Sequence, residues 1–101
     1  MSTTVYLSGP MTGIPAFNRP LFHEVAARLR GLGFKVLNPA EFFLGDVSLP
    51  WSMYMRASVE ALLRADLVAT LPGWENSRGA KLEVAVAEAL GIPVTDSNSI
   101  A

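Results

Sequence analysis

The sequence predicts a small α/β domain: a doubly wound parallel sheet of about four strands, Rossmann- or flavodoxin-like, with helices on both faces. Three observations carry this expectation. Short apolar runs alternate with amphipathic stretches in the order β-α-β-α-β-α-β, a pattern that calls for parallel strands joined by right-handed crossovers. The runs are continuously apolar, as strands covered on both faces must be. Each of the first three is cut off by a loop rich in Gly, Pro or Asn, the usual punctuation between strand and helix.

Val5-Tyr6-Leu7-Ser8 is the first predicted strand, ended by Gly9-Pro10. A Gly- and Pro-rich loop runs to Pro15. From about Asn18 to Leu32 the residues Leu21, Phe22, Val25, Ala26, Leu29 and Leu32 recur at helical spacing, and Gly31 and Gly33 mark the end. His23, the only histidine, lies off that face and reads as a solvated position. Phe34-Lys35-Val36-Leu37 is the second strand, stopped by Asn38-Pro39. A longer connection, Ala40 to Pro50, carries Glu41, Asp46 and the apolar Phe42, Phe43 and Leu44, as a lid or as a loop packed on the core. Trp51 to Arg64 has helical period, with Trp51, Tyr54, Met55, Leu62 and Leu63 on one broad stripe. Asp66 precedes the third strand, Leu67 to Leu71. A last helix, Ala80 to Leu90, is stopped by Gly91 and Pro93, and Ile92 to Thr95 forms the fourth strand before a polar tail.

The chain's 101 residues fit a single domain, 1–101, since domains average roughly 150 residues. Half of them are apolar, which implies a sheet covered on both faces or apolar surface buried between subunits. A net charge of −1, with acids and bases dispersed, argues against a nucleic-acid polymer as partner. Without cysteine there is no disulfide and no thiolate metal site, and a reducing compartment fits. No apolar stretch approaches the ~20 residues of a spanning helix, so a cytoplasmic protein without membrane contact is expected.

The chemistry concentrates between the third strand and the last helix, in Leu71-Pro72-Gly73-Trp74-Glu75-Asn76-Ser77-Arg78-Gly79-Ala80-Lys81-Leu82-Glu83. The free N–H groups and positive dipole end of a helix N-terminus suit a phosphate or another anion. Glu83 follows one turn inside the helix, flanked by Leu82 and Val84, with Ala80 and Ala87 on its own face. A carboxylate in small apolar surroundings beside an anion-binding loop is a candidate catalytic group. The plainer alternative is a solvated helical glutamate after an ordinary turn. In a parallel sheet the three loops after strands one to three meet at the carboxyl edge. That would place Tyr6, Gly9, Glu41, Ser77, Gly79 and Glu83 on one rim. Neither a G-x-G-x-x-G dinucleotide fingerprint nor a G-x-x-x-x-G-K-[ST] loop is present.

Tyr6-Leu7-Ser8-Gly9-Pro10, Ala65-Asp66-Leu67-Val68-Ala69 and Ser77-Arg78-Gly79-Ala80-Lys81-Leu82-Glu83, with the Ala-rich helix running to Gly91-Ile92-Pro93, resemble the nucleoside 2-deoxyribosyltransferases. They also resemble that family's small relatives, the deoxyribonucleoside 5′-monophosphate N-glycosidases. The likeness spans nearly the whole chain and looks closest to compact members common in phages and prophages. Its most specific part is the Ser-x-Gly-x-x-x-Glu spacing. The resemblance implies cleavage or exchange of the N-glycosidic bond of a 2′-deoxynucleoside or its 5′-monophosphate, without cofactor or metal. It casts Glu83 as the nucleophile that forms a covalent deoxyribosyl ester, and puts Tyr6 beside the sugar. Ser8, Gly9 and Pro10, with Ser77, Arg78 and Gly79, would bind substrate or its phosphate. It further implies a homo-oligomer, most simply a dimer, in which Ser97, Asn98 or Ser99 completes a neighbour's site.

Two departures stand out. Where the family carries an aspartate that protonates the leaving base, this chain has Ser58, whose hydroxyl holds its proton too tightly for that work. Glu60, two positions on, lies on another helix face, so Glu41 or Asp46 would be the substitute acid. The N-glycosidase arginine near Thr12 is also missing. Two other readings therefore stay open: a nucleotide-binding module that has lost catalysis, as sensor or inhibitor, and a different carboxylate-dependent phosphoribohydrolase. The latter's Pro-Gly-Gly-x-Gly-Thr-x-x-x-Glu signature is poorly matched by Pro72-Gly73-Trp74.

Overall fold

Four parallel strands and three helices follow one another as expected. The computed structural model describes residues 2–46 and 48–100. Strand β1 is Thr4–Ser8, β2 Lys35–Leu37, β3 Leu67–Thr70 and β4 Val94–Asp96. Helix α1 is Arg19–Gly31, α2 Trp51–Leu62 and α3 Arg78–Ala89. The strand order is β2-β1-β3-β4, with every pairing parallel. Val5 pairs with Val36 on one side and with Leu67 on the other, so β1 is central.

Alternation along β1 divides the core into two layers. Val5 and Leu7 turn to one face and pack with Phe22, Val25, Ala26 and Leu29 of α1. Tyr6 turns to the opposite face, against Ala61 and Leu62 of α2 and Ala87 of α3. Strand β3 repeats the division, with Ala69 in the first cluster and Val68 in the second. This is the arrangement that continuous apolar strands require, since each side of the sheet has a helical cover.

Helix limits follow local chemistry. Pro20 sits in the first turn of α1, where its missing N–H is no loss, and Gly33 (φ +98°) reverses the chain after it. Helix α3 starts at Arg78 rather than Ala80, because the Ser77 hydroxyl caps it by accepting from the Ala80 N–H at 3.2 Å. The connection after β2 is no open loop but a 3₁₀ segment, Pro39–Gly45, started by the Asn38 side chain accepting from Ala40 N–H. Asp66 accepts from the Thr4 N–H at 2.9 Å and ties the entries of β3 and β1 together. The tail folds back on its own chain. Arg28 of α1 donates to the carbonyls of Ser97 (2.6 Å) and Ile100 (2.8 Å), and Ser97 is fully buried. Among the described residues no helix is long and apolar enough to cross a membrane.

Candidate active site

Beyond the carboxyl ends of the strands lies a cavity of about 630 Å³. Its walls come from the loop after β1, the start of α1, the 3₁₀ segment after β2, the first two-thirds of α2 and the start of α3. Gly9, Ser58, Ser77, Gly79 and Glu83 all contribute to it.

Glu83 is only 5% exposed, yet its side chain reaches the cavity wall. Tyr6 and Ser8, both fully buried, hold the carboxylate from behind. The Tyr6 hydroxyl donates to Oε2 at 2.6 Å and the Ser8 hydroxyl to Oε1 at 2.7 Å. The two donors are two residues apart on β1 and therefore share the sheet face that α3 covers. O–H···O⁻ bonds of this length are charge-assisted and strong. The carboxylate's four lone-pair sites exceed these two donors and the Ser58 hydroxyl together, so acceptor capacity remains for chemistry.

Burial pushes the Glu83 carboxyl above its ordinary value, and the hydroxyls of Tyr6, Ser8 and Ser58 pull part of the way back. Burial, and next the Glu83 charge, hold the Tyr6 phenol well above its ordinary range, so it remains a donor throughout physiological pH. Ser58 acts on both groups, although it carries no carboxyl of its own.

Close packing fixes the rim. Gly9 lies against the end of β3: a Cβ there would stand 2.7 Å from Leu71 Cβ and 3.4 Å from the Phe22 ring. The nearest atom is the root of a side chain and cannot swing away. Gly9→Ala is therefore expected to destabilise the fold by about 1–3 kcal/mol, read from urea unfolding. A change below about 0.5 kcal/mol would show that this approach is not tight. Gly79 plays the same part opposite α2, where a Cβ would meet Met55 Sδ at 3.1 Å. The Arg78 guanidinium stacks on Trp51, 3.9 Å from the ring centroid, and extends the α2 wall across the start of α3.

On the opposite wall the chain makes a strained turn. Ala16, Phe17 and Asn18 all have left-handed φ, 55°, 53° and 58°. Such residues cost roughly 1–2 kcal/mol each, and here the Asn18 amide anchors them by donating to the Pro10 carbonyl at 2.9 Å. The turn presents Phe17 to the cavity.

The expected rim is thus assembled with exceptions. Ser8 serves the carboxylate instead of lining the cavity, and Pro10 lies outside the lining, its ring beside Gly73. Glu41 and Asp46 are not brought to the cavity. Glu41 forms a two-pronged ion pair with Arg30 at 2.8 and 2.9 Å, which holds it below its usual range. Asp46 accepts from the Ser48 hydroxyl and N–H, which hold it down as well. A carboxyl kept ionised has no proton to give a leaving base at neutral pH. His23 stays exposed, its Nδ1 3.3 Å from the Asn38 amide.

Sequence reasoning did not find Arg19, or Trp51 and Tyr54 as cavity residues. A signal for the last two exists: the α2 stripe buries Leu62 at one end and opens onto the cavity at the other. Nothing in the sequence distinguishes Arg19 from other arginines at a helix start. No cluster of His, Asp or Glu suited to a metal occurs among the described residues.

Fold and site together define a doubly wound α/β domain with a buried, hydroxyl-bound carboxylate at the carboxyl edge of its sheet. The chain matches the family described as a domain of unknown function, DUF4406, over residues 3–96, and it belongs to that family. Among solved structures it resembles a 2-deoxyribosyltransferase from the psychrotolerant bacterium Bacillus psychrosaccharolyticus, with a TM-score of 0.71 and 21% identity over 91% of this chain and 69% of that one. It also resembles a conserved protein from Enterococcus faecalis, with a TM-score of 0.65 and 26% identity over 93% of this chain and 62% of that one. No curated protein matches the chain.

Proposed function

We propose that this protein cleaves or exchanges the N-glycosidic bond of a 2′-deoxynucleoside or its 5′-monophosphate through a covalent ester on Glu83. One observation carries the reading: a cavity-facing carboxylate bound by two hydroxyls from the central strand, with acceptor capacity left for a reacting carbon. Cleavage at a sugar's anomeric carbon passes through an oxocarbenium-like, positive transition state, which a neighbouring carboxylate stabilises and then captures. The fold shared with a 2-deoxyribosyltransferase supports the same chemistry.

The start of α3 suits the 5′ end of the nucleotide. Ser77, Arg78 and Gly79 line the cavity there, with a helix N-terminus behind them. Ser77→Leu is expected to weaken a deoxynucleoside 5′-monophosphate about tenfold more than the free nucleoside, a difference of about 1.4 kcal/mol. Calorimetry showing equal losses would remove Ser77 from the phosphate site.

The reading is tested by incubating the protein with a panel of deoxynucleosides and their monophosphates and following free base. A slowly turned-over 2-fluorinated deoxyribosyl substrate should leave its sugar on the Glu83 peptide, seen as a mass shift. A second reading, a nucleotide-binding module without turnover, is favoured by one feature: Glu83 is the single carboxyl group among the described residues that line the cavity. Tight binding of the panel without any base release would establish it.

A further inference from the structure

Two polar atoms on the cavity's residues have no hydrogen-bond partner among the described residues: the Tyr54 hydroxyl and Arg19 Nε. Both atoms are buried, and both residues line the cavity that Glu83 enters. A buried donor left unmatched costs about 1–3 kcal/mol, so such a pair favours a ligand that brings an acceptor. The Tyr54 ring is held in place edge-on against Phe43, with centroids 5.2 Å apart at 85°.

Tyr54 stands one turn before Ser58 on α2, and Ser58 adjoins the Glu83 carboxylate. Residues four apart on a helix have Cβ atoms about 5–6 Å apart on one face. Tyr54 and Glu83 therefore line the same cavity, with Ser58 between them along α2. A departing nitrogen base must be given a proton or have its charge stabilised. No carboxyl group other than Glu83 is available for this among the described lining residues.

We infer that the Tyr54 hydroxyl is the proton donor to the departing base, and that the Arg19 guanidinium stabilises the phenolate it leaves. The inference rests on the Glu83 reading above. In the first step a Glu83 oxygen bonds to C1′ while the C1′–N bond breaks, its electron pair staying on the base. The Tyr54 proton moves to that base. In the second step a water, or the N–H of an incoming base, bonds to C1′ and returns a proton to Tyr54 as the Glu83–C1′ bond breaks. Both residues end as they began. Burial keeps the phenol protonated until its proton is needed, and Arg19 is the charge that favours its release. The Asp46 carboxylate adds to the effect of burial.

The test compares two kinds of leaving group. Tyr54→Phe keeps the ring and its packing on Phe43. It is expected to slow base release from ordinary deoxynucleosides by about 10²–10⁴-fold. Release from N7-methyl-2′-deoxyguanosine, whose base departs neutral without taking a proton, should stay within about threefold of wild type. Wild-type kcat/KM on ordinary substrates should fall at high pH as Tyr54 ionises. Arg19→Met should move that limb to higher pH. Equal slowing of both substrates by Tyr54→Phe, or slowing of neither, would overturn the assignment. If Glu83→Gln abolishes release from both substrates while Tyr54→Phe spares both, the proton donor alone is wrong. If wild-type protein releases base from neither, the Glu83 reading falls and takes this inference with it.

Discussion

Glu83→Gln is expected to lower base release about a thousandfold or more, roughly 4 kcal/mol of barrier. The amide keeps the size and planarity of the carboxylate but has neither its charge nor its nucleophilicity. Its oxygen still accepts from one of the two hydroxyls, and the other hydroxyl rotates to accept from the NH₂ group, so the fold is preserved. Heat denaturation should confirm this, and more. The folded-state value of Glu83 is raised above its ordinary 4.5, chiefly by burial. Above that raised value the folded protein holds an ionised carboxylate that the unfolded chain solvates better, so the group weakens the fold. The penalty disappears as pH falls through the raised value towards 4.5, where both states take up the proton. Glu83→Gln should therefore melt higher than wild type at pH 7 to 8, with the gap closing on acidification. Substrate binding should persist in this variant. Full activity with glutamine in place would sink the covalent mechanism, and a lower melting point at pH 7 would show that Tyr6 and Ser8 already compensate the charge.

Phe22→Ala is expected to be the most damaging single truncation of the α1 layer. Phe22 is fully buried, belongs to the cluster formed with Val5, Leu7 and Leu29, and reaches the Gly9 backbone. Phe→Ala in a core costs about 3–5 kcal/mol, against about 5–15 kcal/mol of total stability for a domain. The low end, about 3 kcal/mol, applies here because Phe22 borders the cavity and the new void opens into it. At about 4–8 °C per kcal/mol for a domain of this size, the melting point should drop by at least roughly 12 °C. Urea unfolding with an unchanged slope and a shifted midpoint would attribute the loss to stability alone. A shift below 1 kcal/mol would mean that the layer is held elsewhere.

Much of this architecture was legible because apolar periodicity reports burial directly. The continuous runs at Val5 to Ser8 and Val68 to Thr70 are buried on both faces, and the residues at helical spacing from Phe22 to Leu29 are the ones α1 turns inward. Leu32 and Leu63 fit the same periods, but they lie where their helices end and remain 49% and 56% exposed. Glu83 was legible for a similar reason, since its helical neighbours Ala80 and Ala87 mark a buried face. What was not legible depends on three-dimensional neighbours. Glu41 has the composition of a rim acid, yet Arg30, eleven residues earlier, claims it. Ser8 reads as part of a substrate loop, yet strand alternation points it at a carboxylate 75 positions away. The left-handed turn at Ala16 to Asn18 has no glycine to announce it.

The two hydroxyls that hold the carboxylate belong to the central strand, whose register is fixed by neighbours on both sides. Slipping β1 by one residue would turn Tyr6 and Ser8 toward α1 and leave Glu83 without either. Site assembly and closure of the sheet are thus one event, and no partly folded species with β1 undocked contains the hydroxyl-bound carboxylate. During refolding, the competence to bind ligand should return with the same rate constant as the burial of Phe22. A thermal inactivation curve should in turn overlay the melting curve of the whole domain, because the carboxylate's two donors sit on the central strand of its sheet.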